Sequence, residues 1–347
     1  MATSVLSQRP THEPQLTPCK HQVAGHLFED GKAGSFVDEC GHFYKPLQNG
    51  PRGRREQEFY ELIMAILQSE ECYHPRRRLS GSYGSRDSAE PSGEGVESSS
   101  GASCIQAEER LAEGQTEAGA QPETHLSFSV RNAALLRAIP LCYGLIELDG
   151  VRMIEMEDLA GQYRHPSIID VKMGFHTWYA SGDARYIERR KAKDAATHQS
   201  SLGFRICGMQ VYRNFQRGYW RASKRWCKGL PQEEVRKALL RFPHNESNLR
   251  AADVYGGQHG ALSQLHQLLQ WFKVQQEFVF YSSSILIIYE GDAQKQSETN
   301  VVIRLVDFAH TFPVNGERDS NFLNGLASFM SVLEDTVAAD THDDCSL

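Results

Sequence analysis

The sequence of 347 residues predicts an α+β fold in two lobes. Three observations predict it. Strand-like runs crowd the first part of the chain and end in a hairpin signal at residues 141–156. Helical and strand patterns mix after residue 157, and a long polar stretch at residues 76–121 interrupts the first part without ending it. With 40% apolar residues the chain can fill one large core or two lobes.

Residues 1–20 are polar and proline-containing and are expected to be disordered. From His21 to Gln48 short strand-like runs alternate with Gly25, Gly31, Gly34 and Gly41, and HFYKPL closes the segment with Lys45 beside aromatic residues. In RREQEFYELIMAIL, Phe59, Leu62, Ile63, Ile66 and Leu67 fall at i, i+3, i+4, i+7 and i+8, one face of a helix. Residues 76–121 are rich in Ser, Gly and Glu, with Tyr83 the single aromatic. Such a stretch buries too little apolar surface to offset its ordering entropy, so it reads as a disordered insertion with a short helix near residues 105–113.

Leu141–Leu148 and Val151–Met156 flank Asp149-Gly150, the pairing favoured by a tight primed hairpin turn. A connector and a short strand follow in EDLAGQYRHPSIIDVKMG. Helices are expected at 183–198, at 231–242 with Pro231 in the first turn, at 262–278 and at 321–337. SSILIIYE and NVVIRLVDFAH, dense in Ile and Val, read as strands. The first lobe is thus expected over residues 21–157, the second over 158–337, and a flexible tail over 338–347.

A formal net charge of −7 argues against a dedicated nucleic-acid binder. The eight cysteines form no CxxC pair and read as reduced, packed thiols, and His244, His259 and His266 lack zinc spacing with them. No apolar run reaches the roughly 18 residues of a membrane span, and the first residues carry no apolar signal core. The expectation is a chain working in the nucleus and cytoplasm as a monomer, with protein partners on the polar insertion.

Within PSIIDVKMG, the period of two puts Asp170 and Lys172 on one side of a strand, where an acid and a base can hold sugar hydroxyls and a phosphate together. By itself this pair reads first as a surface ion pair. Lys45 alone reads as a snorkelling lysine. Asp307 ends the apolar run IRLVDFAH, and a carboxylate there needs a partner, which is either a strand-end cap or a nucleotide-bound Mg²⁺, an ion that keeps waters and phosphates as ligands. The cluster Arg185, Arg189, Arg190, Lys191 and Lys193 lies on the charged helix, with Arg189 and Lys193 at i and i+4. It fits either a solvated face or a polyanion site. No Walker loop or GxGxxG is present.

The full pattern P-x-x-x-D-x-K-x-G at Pro166–Gly174 resembles the signature of the inositol polyphosphate kinase family. VAGH at 23–26, YKPLQ at 44–48, PRGRREQEFY at 51–60, MEDL at 156–159, SLGFRICGMQVY at 201–212, DVYGG at 253–257, SSILIIYE at 283–290 and LVDFAHTF at 305–312 stand in that family's order. SLGFR, the tract around Trp220, YGG and NFLNGLASF are most similar to plant inositol polyphosphate multikinases.

The resemblance implies a two-lobed kinase-like fold, with a small antiparallel-sheet N-lobe, a larger α+β C-lobe and an ATP site in the cleft. It implies Lys45 on the nucleotide phosphates, the backbone of Glu157 and Leu159 at the adenine edge, Asp170 on the ribose and Asp307 on Mg²⁺. Asp307-Phe308 also resembles the magnesium-binding DFG of protein kinases, with Ala309 in place of the glycine. Lys172 would stabilise charge on the moving phosphoryl group. Arg52, Arg189, Lys193, Lys172 and His310 would meet the inositol phosphate, although RRKAK puts Arg where the family has lysine.

The implied reaction is phosphorylation of soluble inositol tris- and tetrakisphosphates at the 3- and 6-hydroxyls. Inositol hexakisphosphate kinase and inositol trisphosphate 3-kinase are the alternatives within the class. A scaffold in transcriptional control, using the insertion and Arg76-Arg77-Arg78, is the alternative outside it. The intact set Lys45, Asp170, Lys172 and Asp307 weighs against that last reading.

Overall fold

The structure, a computed structural model, describes residues 15–24, 34–69, 128–246 and 248–342. The expected insertion at 76–121, its short helix, Arg76-Arg77-Arg78, Gly25 and Gly31 lie outside the described residues.

The first lobe is built on one antiparallel sheet. Its strands are β1 (Thr17–Pro18), β2 (Phe36–Val37), β3 (His42–Pro46), β4 (Cys142–Leu148) and β5 (Val151–Glu157), in the order β1-β2-β3-β5-β4. Asp149 and Gly150 have φ of 49° and 76°, so the β4–β5 hairpin has the left-handed pair a primed turn requires. Helix α1 (Pro51–Ser69) buries Phe59, Tyr60 and Ile63, as its apolar spacing predicts. Two short helices, α2 (Phe128–Arg131) and α3 (Ala133–Ala138), precede the hairpin.

The second lobe contains β6 (Pro166–Met173), α4 (Ala184–Ala195), α5 (Gln199–Leu202), β7 (Phe204–Asn214), β8 (Gly218–Arg221), α6 (Lys224–Gly229), α7 (Val235–Arg241), α8 (Ala251–Tyr255) and α9 (Ala261–Val274). It ends with β9 (Phe278–Phe280), β10 (Ser284–Glu290), β11 (Val302–Val306), β12 (Thr311–Pro313) and α10 (Ser320–His342). Its main sheet has the order β11-β10-β6-β7-β8, all antiparallel, and β9 and β12 form a separate pair. Strand β6 is central and covered on both faces, and only Lys172 on it is more than slightly exposed. Helix α10 packs on α7, α8 and α9. One contiguous core joins α1 and β5 to β6, β7, β10 and α10.

Gly174, which closes the PSIIDVKMG segment, has φ of +93°, and a Cβ there would lie 2.4 Å from the Asn321 amide. Asn321 accepts from His176 N at 3.1 Å and donates to His176 O at 3.0 Å, which fixes α10 against the end of β6. The glycine therefore serves a tight backbone turn and a close helix approach together.

Three expected boundaries are corrected. Residues 17–18 lie inside the stretch expected to be disordered, yet they pair with β2, and Cys19 N donates to Ser35 O at 2.9 Å. The last helix runs on to His342 rather than stopping at 337, so residues 338–342 are not tail. Helix α9 stops at Val274, because the Gln275 side chain accepts from Glu277 N at 3.0 Å and Phe278 N at 3.1 Å and turns the chain into β9.

Candidate active site

Between the lobes lies a cleft of about 370 Å³. Apolar walls come from Phe43, Met156, Leu159, Ile168, Leu286, Ile288 and Val306, and polar groups enter at Lys45, Glu157, Asp170 and Asp307. Apolar walls with a few convergent polar groups are what a flat heterocycle carrying a charged tail requires. Glu157 ends β5 and its carboxylate accepts from Leu141 N at 3.3 Å and stands 3.8 Å from Arg304 Nη2 on β11. The connector between the lobes is thereby tied to both.

Lys45 leaves β3 toward the cleft. Its Nζ is 2.6 Å from Asp307 Oδ1 and 2.7 Å from Glu56 Oε1 on α1. Burial opposes the ammonium charge, but Asp307 and Glu56 outweigh it and hold the group well above its ordinary value. Glu56 has no exposed surface, and its Oε2 has no hydrogen-bond partner among the described residues. The sequence reading passed over Glu56; the signal was a glutamate on the buried side of a helix that begins just after the lysine strand. Lys45 and Glu56 are held where a phosphate-binding lysine would be oriented from behind.

Asp307 follows β11 with φ of 69°, a left-handed conformation aspartate tolerates better than most residues. Its carbonyl accepts from Ser283 Oγ at 2.8 Å. The positive φ falls on Asp307 and not on Ala309, so the departure from a glycine there has a physical reason. Phe308 stacks on Phe59 at 4.2 Å and Arg55 Nε donates to Ala309 O at 3.0 Å, so α1 clamps this segment.

Asp170 and Lys172 project from β6 into one region beside Asp307, as the strand period predicts. Asp170 is buried, and its Oδ1 has no hydrogen-bond partner among the described residues. Burial, aided by Asp307 and opposed by Lys172, pushes its carboxyl up to about 6. Lys172 Nζ donates to Ser282 O and stands 3.5 Å from Ser284 Oγ.

A second pocket, about 210 Å³, adjoins Asp170 and Asp307 and is lined by Lys172, Lys193, Arg205, Lys224 and Lys228. Arg205 is paired with Lys172 in the β6–β7 register and is only 6% exposed. Neither Lys193 nor Arg205 forms a salt bridge among the described residues. Burial and the cations of Arg205, Arg190 and Lys172 lower the pKa of Lys193. Five cations share this pocket with the two carboxylates Asp170 and Asp307, an excess of positive charge that favours a polyanionic ligand. Arg205, Lys224 and Lys228 have no local sequence signal, because strand register brings Arg205 beside Lys172 and the placement of α6 brings Lys224 and Lys228 to the same pocket.

His310 is buried, 5.6 Å from the Tyr179 ring and 6.1 Å from the Tyr186 ring. Burial first, then Arg190, Arg52, Arg55 and Lys172, push its imidazole down to about 3. The charges of Arg52 and Lys172 thus reach the buried His310. On α4 the arginine facing them is Arg190, 5.4 Å over the Tyr186 ring, while the expected Arg189 is exposed. The helix is phased by Tyr186 and Asp194, both buried, which puts residues 186, 190 and 193 on one face.

The two regions share Ala24, Asp170 and Asp307, so a cleft of mixed polarity opens onto a cation-lined pocket at its acidic end. Two carboxylates at that junction supply the hard oxygen donors a divalent cation prefers, and the orphaned Asp170 Oδ1 fits a ligand hydroxyl or ion.

The chain is similar to known proteins along most of its length. A sequence model described as inositol polyphosphate kinase matches residues 153–334. Inositol polyphosphate multikinase alpha of Arabidopsis thaliana is 32% identical over 336 residues, covering 92% of this chain and 96% of that protein. A solved inositol phosphate multikinase structure aligns with a TM-score of 0.53 at 36% identity, over 58% of this chain and 91% of the other. The multikinase Ipk2 of S. cerevisiae, solved with ADP and Mn²⁺, shares the fold with a TM-score of 0.51 at 22% identity, over 58% of this chain and 89% of its own. On the family match and the similarity to the plant protein along nearly its whole length, the chain belongs to the inositol polyphosphate kinase family.

Proposed function

We propose that the protein is an ATP-dependent inositol polyphosphate multikinase that adds phosphate to the 3- and 6-hydroxyls of inositol tris- and tetrakisphosphates. One observation carries this reading: the junction where Asp170, Lys172 and Asp307 line a pocket that also holds Lys193, Arg205, Lys224 and Lys228. A small, dense polyanion fits such a pocket, and a peptide or a neutral sugar does not. The similarity to the Arabidopsis multikinase along 92% of the chain supports a multikinase over the narrower members of the family.

In this reading Lys45 neutralises the nucleotide phosphates, with Glu56 fixing its direction. Asp170 accepts from the ribose hydroxyls. Asp307, with Asp170 nearby, would hold Mg²⁺, which when bound would supply charge neutralisation on the nucleotide phosphates. Lys172 stabilises the charge on the phosphoryl group between donor and acceptor. Arg52, Arg190, Lys193, Arg205 and neutral His310 orient the inositol phosphate. Positioning and charge neutralisation carry phosphoryl transfer, so no strong base is needed. The acceptors are soluble, and the chain is proposed to meet them in nucleus and cytoplasm. Among the described residues no helix is long and apolar enough to cross a membrane.

The test is incubation with MgATP and a panel of inositol phosphates, with products resolved by position. The expected products carry new phosphates at positions 3 and 6. Conversion of inositol hexakisphosphate to a diphosphate, with the lower phosphates untouched, would overturn the assignment.

A further inference from the structure

The VAGH tract at 23–26 has no role in the mechanism above, yet the segment leading into it crosses the whole site. We propose that residues 19–24 form a strap that walls both the nucleotide cleft and the basic pocket, and that His21, Gly208 and Gln210 are the positioning residues that seat it. The proposal rests on the kinase reading of those two pockets.

The strap is anchored on both lobes. At its start β1 pairs with β2 in the first lobe, and Cys19 N donates to Ser35 O at 2.9 Å. Further on it lies against β7 and β8 of the second lobe. Arg221 Nη2 donates to Lys20 O at 3.1 Å, and Gln210 Nε2 donates to His21 Nδ1 at 2.9 Å. The Gln210 amide cannot turn away, because its Oε1 accepts from Arg221 Nε at 2.8 Å and its Nε2 also donates to Pro166 O at 2.8 Å. The His21 ring packs 5.5 Å from Tyr219.

Gly208 completes the seat. A Cβ at this position would lie 2.0 Å from Val23 O, a clash with backbone that no rotamer relieves. Val23 can therefore approach β7 this closely only because the strand has no side chain at 208. Cys19, His21, Gln22, Val23 and Ala24 then line the cleft, and Ala24 lines the basic pocket as well. A displaced strap opens the wall of both substrates' sites while leaving Lys45, Asp170, Lys172 and Asp307 in place.

The full chain carries its own probe, since trypsin can cut after the exposed Lys20, whose carbonyl is held by Arg221. Steady-state kinetics with ATP and inositol trisphosphate, and the rate of that cut, are measured for wild type, Gly208→Ala, His21→Ala, His21→Asn and the Gly208→Ala/His21→Ala double variant. Asparagine offers an acceptor in place of Nδ1. The expected result is about a tenfold rise in KM for both substrates in each Ala variant, with kcat within about twofold, the pattern of lost uniform binding. The cut is faster, the double variant is no worse than the worse single, and His21→Asn is close to wild type. Unchanged KM values despite a faster cut, a fall in kcat alone, or additive effects in the double variant would each overturn the strap's role. A wild type that phosphorylates no acceptor would instead defeat the kinase reading. The strap would then stand or fall on whether both Ala variants are cut faster than wild type, and equal rates would overturn it.

Discussion

Glu56 carries a charge with no exposed surface, and Lys45 at 2.7 Å is the ion partner that makes this tolerable. Glu56→Gln keeps the shape and removes one of two carboxylates holding the lysine. The expected outcome is about a hundredfold loss of kcat/KM for ATP, the scale of a misplaced group. A variant with native steady-state kinetics would show that Lys45 needs no support from α1. His310 gives a pH-dependent prediction. Its folded pKa, about 3, lies below the ordinary 6.5, so the unfolded chain takes up the proton first as pH falls. Its contribution to stability is full above 6.5 and erodes toward 3. Between pH 7.5 and 5 the erosion is about 2 kcal/mol. His310→Asn should reduce the acid loss of unfolding free energy by about that amount in urea titrations, and an unchanged loss would contradict the assignment. At this scale Lys45, Asp170, Lys172 and Asp307 were legible, because strand period and motif place them. Glu56 and Arg205 were not, because their approach depends on helix docking and strand register.

Helix α4 shows how an element holds its cations in place. Asp183 accepts from Tyr186 N at 2.8 Å and caps its start, and buried Asp194 accepts from Thr177 N at 2.8 Å near its end. Thr177 lies just beyond β6, so the helix cations are held in fixed relation to Lys172. Asp183→Ala is expected to cost about 1 kcal/mol of stability. It should raise KM for the inositol phosphate several-fold and leave KM for ATP unchanged, which steady-state kinetics with each substrate varied in turn would reveal. Equal rises for both would place α4 outside the acceptor site. The helix was legible in the sequence, but its phase was not. In RRKAK a choice between Arg189 and Arg190 turns the helix by about 100°, and only the buried Tyr186 and Asp194 decide it.

The two lobes share one apolar core through α1, β5 and the central strand β6, and their polar interface is the site itself. The two-lobed division was legible from the hairpin, the connector and the later mixture of elements. The β1-β2-β3-β5-β4 and β11-β10-β6-β7-β8 orders were not, since non-local pairing leaves no local pattern. That pairing brings β3, β6 and the end of β11 to a common point, where the donor phosphate and the acceptor would meet. The most direct measurement is transfer of label from γ-labelled ATP to inositol trisphosphate by wild type and Lys172→Ala, with folding checked by circular dichroism. The account predicts labelled inositol phosphate from wild type and at least about a thousandfold slower labelling from the folded variant, the scale of a lost charge-stabilising group. Labelling by Lys172→Ala near the wild-type rate would contradict it.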